Sequence, residues 1–295
     1  MSKYHELVSR FIAQLEQGTR PWARSWATQE GGRFMRPLRH NGAPYHGVNV
    51  LALWCAAEDR GFNSPHWMTF NQAKEFGASV RKGAKAAHVF YYGAVEREKE
   101  NGETHQAKFV KTYCVFNAQE IEGLPARFTP APVAITPAET EARNLAADQF
   151  IGNTRAVIRH GGGRAFYSPA ADFIQMPDFR AFESGEAYYA TALHELTHWT
   201  GSNGRIDRPK GARFGDAAYA MEELVAELGA AFLCSDLRLS DTPRDDHASY
   251  LANWAAALKA QPTILMSAAG AAERACEYLH GLQAWAALPT LQAAE

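Results

Sequence analysis

Five residues, His194-Glu195-Leu196-Thr197-His198, constrain this chain more than any other feature. On an α-helix, positions i and i+4 lie on one face, one turn apart. Two imidazoles so placed can grip one metal ion from the same side. Glu195 stands next to the first, where it can take a proton from a water at the metal. HExxH on a helix is the signature of a zinc-dependent hydrolase. The competing explanation is an amphipathic helix with two core histidines. It gives Glu195 nothing to do.

Catalytic zinc usually takes three protein ligands and keeps one position open. Downstream, Met221 to Leu233 is rich in helix formers, with no Gly or Pro before Gly229. Glu223 and Glu227 are four apart and share a face. Glu223 could complete the ligand set. Glu227 could accept a hydrogen bond from a ligand imidazole and fix its tautomer. Glu222 remains a competitor for third ligand, since it faces about 100° further round the helix. Ala226, Gly229 and Ala230 would let this helix approach the first closely.

The run before the motif also bears on chemistry. Asp172 to Met176 reads as a short strand closed by Pro177. An edge strand beside a metal could pair with an extended peptide, although a plain connecting strand has the same pattern. Tyr167 is a candidate for stabilising an oxyanion, while Tyr188 and Tyr189 read as packing residues on the motif helix. Trp199-Thr200-Gly201-Ser202-Asn203-Gly204 is a helix stop.

Charge divides the chain. Residues 1–127 hold 17 Lys and Arg against 12 Asp and Glu, whereas the remainder holds 13 against 20. A basic part joined to an acidic part suggests two domains with different tasks. The junction, Gly123 to Pro137, has four prolines in its last thirteen residues and reads as a semi-rigid linker. The expected partition is residues 1–125, a linker over 126–138, and a second domain over 139–295. No run approaches a membrane span, and the N-terminus lacks a secretory pattern. Cys55, Cys114, Cys234 and Cys276 form no CxxC pair and read as buried thiols of a reducing compartment. A cytoplasmic location is expected.

The basic part reads as a small α+β domain. Helices are expected over Tyr4–Gln17 (apolar Leu7, Phe11, Ile12 and Leu15), over Asn49–Arg60, and from a Thr69 cap to Gly77. A strand from Ala87 to Val95 returns through a charged loop as Lys108–Phe116. Aromatics interleaved with cations suit single-stranded nucleic acid, where bases stack on rings and cations track phosphates. The candidate contacts are Arg24, Arg36, Arg39, Tyr45, Trp67, Lys74, Arg81, Lys82 and Lys85, with Trp22 and Trp26 as further rings. Core packing explains many tryptophans equally well.

Several segments together resemble the ArdC-type antirestriction proteins carried by conjugative plasmids. They are Tyr45-His46-Gly47-Val48-Asn49-Val50-Leu51, Trp67 to Lys74, Val80 to Gly83 and Val115-Phe116-Asn117. In the second part they are Tyr188 to Gly201, Glu222 to Glu227, and His247-Ala248-Ser249-Tyr250 through Leu282. The resemblance covers nearly the whole chain. It implies an α+β protein of two domains, the first binding single-stranded DNA and the second a mostly helical, zincin-like metallopeptidase fold with a short sheet. It implies His194, His198 and Glu223 as ligands of one divalent metal, zinc or else manganese, and Glu195 as catalytic base. The biology it implies is protection of incoming plasmid DNA from host restriction.

Two readings follow. In the first, an active metallopeptidase is delivered to DNA, single-stranded or duplex, and cuts a restriction-enzyme subunit or another DNA-bound protein. In the second, the protein occludes DNA and its metal site is structural or vestigial. A stand-alone peptidase is a third. Retention of Glu195 favours the first, because a structural site needs no base.

Overall fold

The computed structural model describes residues 2–22, 35–98, 104–128, 144–208, 217–239 and 248–283. The chain forms two compact units, residues 1–134 with 247–270, and residues 135–246 with 271–295. It is an α+β protein, as the sequence indicates.

In the first unit, helix α1 (Lys3–Glu16) is capped by the Ser2 side chain and buries Val8, Phe11 and Leu15. Val8 takes the place expected for Leu7, one position round the same face. Phe11 stacks on Trp22, and Trp22 meets Trp254 edge-on at 5.5 Å. Trp254 belongs to helix α7 (Ala248–Ala260), which packs on α1. This late segment therefore folds with the N-terminal part, where it packs on α1.

Helix α2 (Val48–Arg60) packs against strand β4 (Ala87–Glu98). Asn49 ties the two, donating to the Phe90 carbonyl at 2.9 Å and accepting from its N–H at 2.6 Å. The main sheet runs β1 (Leu38–Arg39), β2 (His66–Met68), β5 (Thr104–Asn117), β4, antiparallel except for the β1–β2 pair. Helix α3 (Phe70–Glu75) starts at a full capping box between Thr69 and Gln72. Strands β3 (Ser79–Val80) and β6 (Ile121–Glu122) form a second small sheet over a core of Met68, Ala73, Ala78, Ala118, Ile121 and Phe128. Phe128 lies within the stretch read as linker, yet it is buried there.

In the second unit, helix α4 (Leu145–Asn153) precedes a three-stranded sheet of order β7 (Ile158–His160), β9 (Phe173–Met176), β8 (Phe166–Ser168). The strand expected at 172–176 is β9, and it is central, not an edge, between parallel β7 and antiparallel β8. Helix α5 (Gly185–Thr200), capped by Ser184, carries the HExxH motif and packs on β8, β9 and helix α6 (Ala217–Asp236). A Cβ on Gly229 would lie 2.6 Å from Thr197 Cγ2, so only glycine permits this approach of α5 and α6. The later part of helix α8 (Ile264–Gly281) closes the unit, with Cys276 Sγ 3.6 Å from the Gly229 carbonyl.

Cys55, Cys234 and Cys276 are buried and in no disulfide, while Cys114 is exposed. Strand alternation puts it on the side opposite buried Val115. Among the described residues no helix is long and apolar enough to cross a membrane.

Candidate metal centre

Helices α5 and α6 build the site. One helical turn separates His194 from His198, and their Nε2 atoms converge to 3.1 Å. Glu223, from α6, faces both: Oε2 lies 3.7 Å from His194 Nε2 and Oε1 lies 3.5 Å from His198 Nε2. These three side chains can offer donor atoms within 4.8 Å of one another. Two imidazoles and one carboxylate are donors of the kind that can hold a divalent metal ion.

The outward nitrogen of each ring faces a carboxylate. Glu227 Oε1 lies 3.2 Å from His194 Nδ1, and Glu222 Oε1 lies 3.2 Å from His198 Nδ1. Carboxylates on Nδ1 fix the tautomer and leave Nε2 to bind metal. Glu222 is thus turned to the opposite ring nitrogen from the cluster of His194, His198 and Glu223. Arg208, buried, holds Glu222 with two hydrogen bonds of 3.0 and 2.7 Å. The same guanidinium donates to Thr200 Oγ1 and to the Thr197 carbonyl. It thereby fastens the end of α5 to α6. Arg208 escaped the sequence reading because it lies in a loop with no periodicity to mark it.

Charge in the cluster is strongly coupled. Burial would lower the His198 pKa, but the Glu222 and Glu223 carboxylates outweigh it and raise it to about 10. Burial pushes Glu223 upward, yet hydrogen bonds and charge from the two histidines hold it well below the usual carboxylate range. Glu195 is buried on α5 between the two histidines in sequence.

Tyr167 has a different place. Its hydroxyl donates to Asp172 Oδ1 at 2.8 Å and accepts from Arg205 at 3.0 Å. Arg205 also pairs with Asp172 and lies 4.0 Å from the centre of the Trp199 ring. The one proton of the Tyr167 hydroxyl thus goes to Asp172. Tyr188 and Tyr189 are buried against Phe179, as packing residues should be.

The residues read as nucleic-acid contacts divide sharply. Trp22, Tyr45 and Trp67 are buried, so their ring faces are closed to a base. Trp67 packs edge-on to Phe62, and Tyr45 has Arg39 at 5.4 Å from its ring. Arg36 is buried as well. Arg39, Lys74, Arg81, Lys82 and Lys85 are exposed. Arg24 and Trp26 lie outside the described residues.

Known proteins share this arrangement. Residues 1–116 match the N-terminal domain of anti-restriction factor ArdC, and residues 145–271 match the zincin-like metallopeptidase domain. The crystal structure of antirestriction ArdC protein from plasmid R388, metal-free, superposes with a TM-score of 0.81 at 39% identity, covering 96% of this chain and 98% of that one. The chain belongs to the ArdC antirestriction family. The Mn(II)-bound R388 structure superposes with a TM-score of 0.79 at 38% identity, covering 96% and 99%. Together with the zincin-like domain, it indicates a divalent metal. Protein y4eC of Sinorhizobium fredii (strain NBRC 101917 / NGR234) is 35% identical over 95% of this chain and 92% of its own length. The DNA primase TraC of Escherichia coli is 34% identical over 94% of this chain, which spans only 27% of that primase.

Proposed function

We propose that this antirestriction protein binds single-stranded DNA through its basic N-terminal part and carries a metallopeptidase centre in its zincin-like part. The functional division follows the partition at 126–138. His194, His198 and Glu223 are the ligands of one divalent ion, zinc with manganese as the alternative. The convergence of both Nε2 atoms on Glu223, with a carboxylate behind each ring, carries this reading. A divalent ion there supplies Lewis acidity, which acidifies water and polarises a carbonyl. Glu195 takes the proton of the attacking water and returns it to the leaving amine. Glu222 and Glu227 keep the imidazoles in the tautomer that presents Nε2. Arg208 keeps Glu222 in place.

The substrate is a protein on DNA, a restriction-enzyme subunit being the partner that fits antirestriction. Protection and binding would occur where incoming DNA is met, in the cytoplasm. The likeness to a DNA primase supports the nucleic-acid partner, and the exposed cations Arg81, Lys82 and Lys85 supply counter-charge.

The test pairs two assays on wild type and Glu195→Ala. Affinity for single-stranded DNA is followed as salt rises, since phosphate contacts weaken with salt. Cleavage of a DNA-bound protein is followed in parallel. The reading expects salt-dependent binding in both proteins and cleavage in wild type alone. Salt-independent or absent binding sinks the first half, and cleavage by Glu195→Ala at the wild-type rate sinks the second.

A further inference from the structure

Trp22 and Trp67 are core, and Trp26 lies outside the described residues, whereas other rings are open to solvent. Tyr91, Tyr92, Val110 and Tyr113 are exposed by 55, 53, 46 and 47%, and all lie on the β4–β5 hairpin. At its root the hairpin is ordinary sheet, with Ala87, Val89 and Val115 buried. Strand β2 meets β5 only at Phe116 and Asn117. From Tyr91 outward the two strands pair with each other alone. An unsupported two-stranded ribbon is marginal in water, and its rings are only half covered.

Register sorts these side chains into faces. Tyr91 is opposite Lys111, Gly93 opposite Phe109, and Val89 opposite Tyr113. Cross-strand partners and alternate residues share a face. One face therefore carries Tyr91, Phe109, Lys111 and Tyr113. The Phe109 ring lies 6.2 Å from that of Tyr91, and Lys111 Nζ lies 5.2 Å from the centre of the Phe109 ring. A Cβ on Gly93 would sit 2.5 Å from Phe109 Cζ. Glycine at 93 thus leaves room for the Phe109 ring to lie across the strand. Among the described side chains of this face, the only charge is the Lys111 cation. The strand that carries Tyr91 is entered directly from the exposed cations of 81–85.

We propose that this face of the β4–β5 hairpin is the stacking platform for bases of single-stranded nucleic acid, with Lys111 beside a phosphate. The inference rests on the DNA-binding reading above and supplies its surface. Rings with a cation set among them and, among the described side chains of this face, no carboxylate match a polyanion with flat bases. A protein partner would meet this face without needing Lys111.

The test uses full-length protein and fluorescein-labelled oligothymidylate, read by anisotropy. Tyr91→Ala and Tyr113→Ala each weaken binding by roughly 5- to 150-fold. Tyr91→Phe and Tyr113→Phe, which keep the ring, stay within about twofold. Lys111→Gln lowers the slope of log affinity against log salt by about 0.7. Tyr92→Ala, on the other face, changes affinity less than about twofold. Thermal melts of all variants confirm that each is folded at the assay temperature, since these side chains are only half covered. Wild type that fails to bind overturns both this inference and the DNA reading. Wild type that binds, with Tyr91→Ala, Tyr113→Ala and Lys111→Gln unaffected, overturns the hairpin alone. An equal loss at Tyr92 overturns the choice of face.

Discussion

Glu222 Oε1 lies 3.2 Å from His198 Nδ1, on the far side of the imidazole from Glu223. Two neighbouring glutamates on one helix thus serve opposite nitrogens of one ring. On the proposed ligand set, the 100° step round α6 from Glu222 to Glu223 separates a carboxylate that orients a ligand from one that faces the metal. Substituting the two should therefore give different losses.

Arg208 acts through Glu222. Arg208→Ala should lower metal affinity by roughly 10- to 100-fold, the usual effect of removing an outer partner. It should also lower the thermal midpoint, because Glu222 would be left buried without its counter-charge. Arg208→Lys should not restore affinity, since a lysine cannot reproduce the two-pronged contact. Competition with a chromogenic chelator, beside thermal melts, checks both.

Glu195→Gln keeps the shape of the site and removes the base. Metal content should remain at the wild-type level while peptide hydrolysis falls by roughly 10²- to 10⁴-fold. Metal analysis of the purified variant beside a cleavage assay separates the two effects.

Metal binding should release a proton. Without metal the His198 pKa is raised to about 10, and the ion must displace that proton. Apparent affinity should thus rise with pH up to about 10, near tenfold per unit. Stability gained from the charged imidazole runs the other way in metal-free protein. It is fully present below the unfolded-state pKa of about 6.5 and is lost as pH rises through about 10. Calorimetry at pH 7.5 in buffers of different ionisation enthalpy should show about one proton released per ion. No buffer dependence would contradict the assignment.

Gly229→Ala drives a methyl into buried Thr197. The expected cost is about 1–3 kcal/mol, read from denaturant unfolding. Adding Thr197→Ala should recover part of it by opening the space.

The cluster of His194, His198 and Glu223 was legible as a juxtaposition because helical period fixes geometry. HExxH and the Glu223–Glu227 spacing name faces without any tertiary information, and the structure places both pairs as the period requires. Arg208 was not legible, since a loop residue acquires its partner only when the chain folds back. The aromatics misled for the same reason. Trp67 and Tyr45 look like Tyr91 and Tyr113 in a sequence, and only their neighbours, Phe62 and Arg39 among them, decide which are covered. The return of residues 247–270 to the first unit likewise depends on Trp254 meeting Trp22, 232 positions away.

The most direct test is a zinc titration of metal-stripped wild type, Glu222→Ala and Glu223→Ala. Wild type should bind one equivalent. Glu222→Ala should bind one equivalent roughly 10- to 100-fold more weakly, and Glu223→Ala should lose more than that. Full affinity in Glu223→Ala, with the larger loss in Glu222→Ala, would contradict the ligand set built from His194, His198 and Glu223.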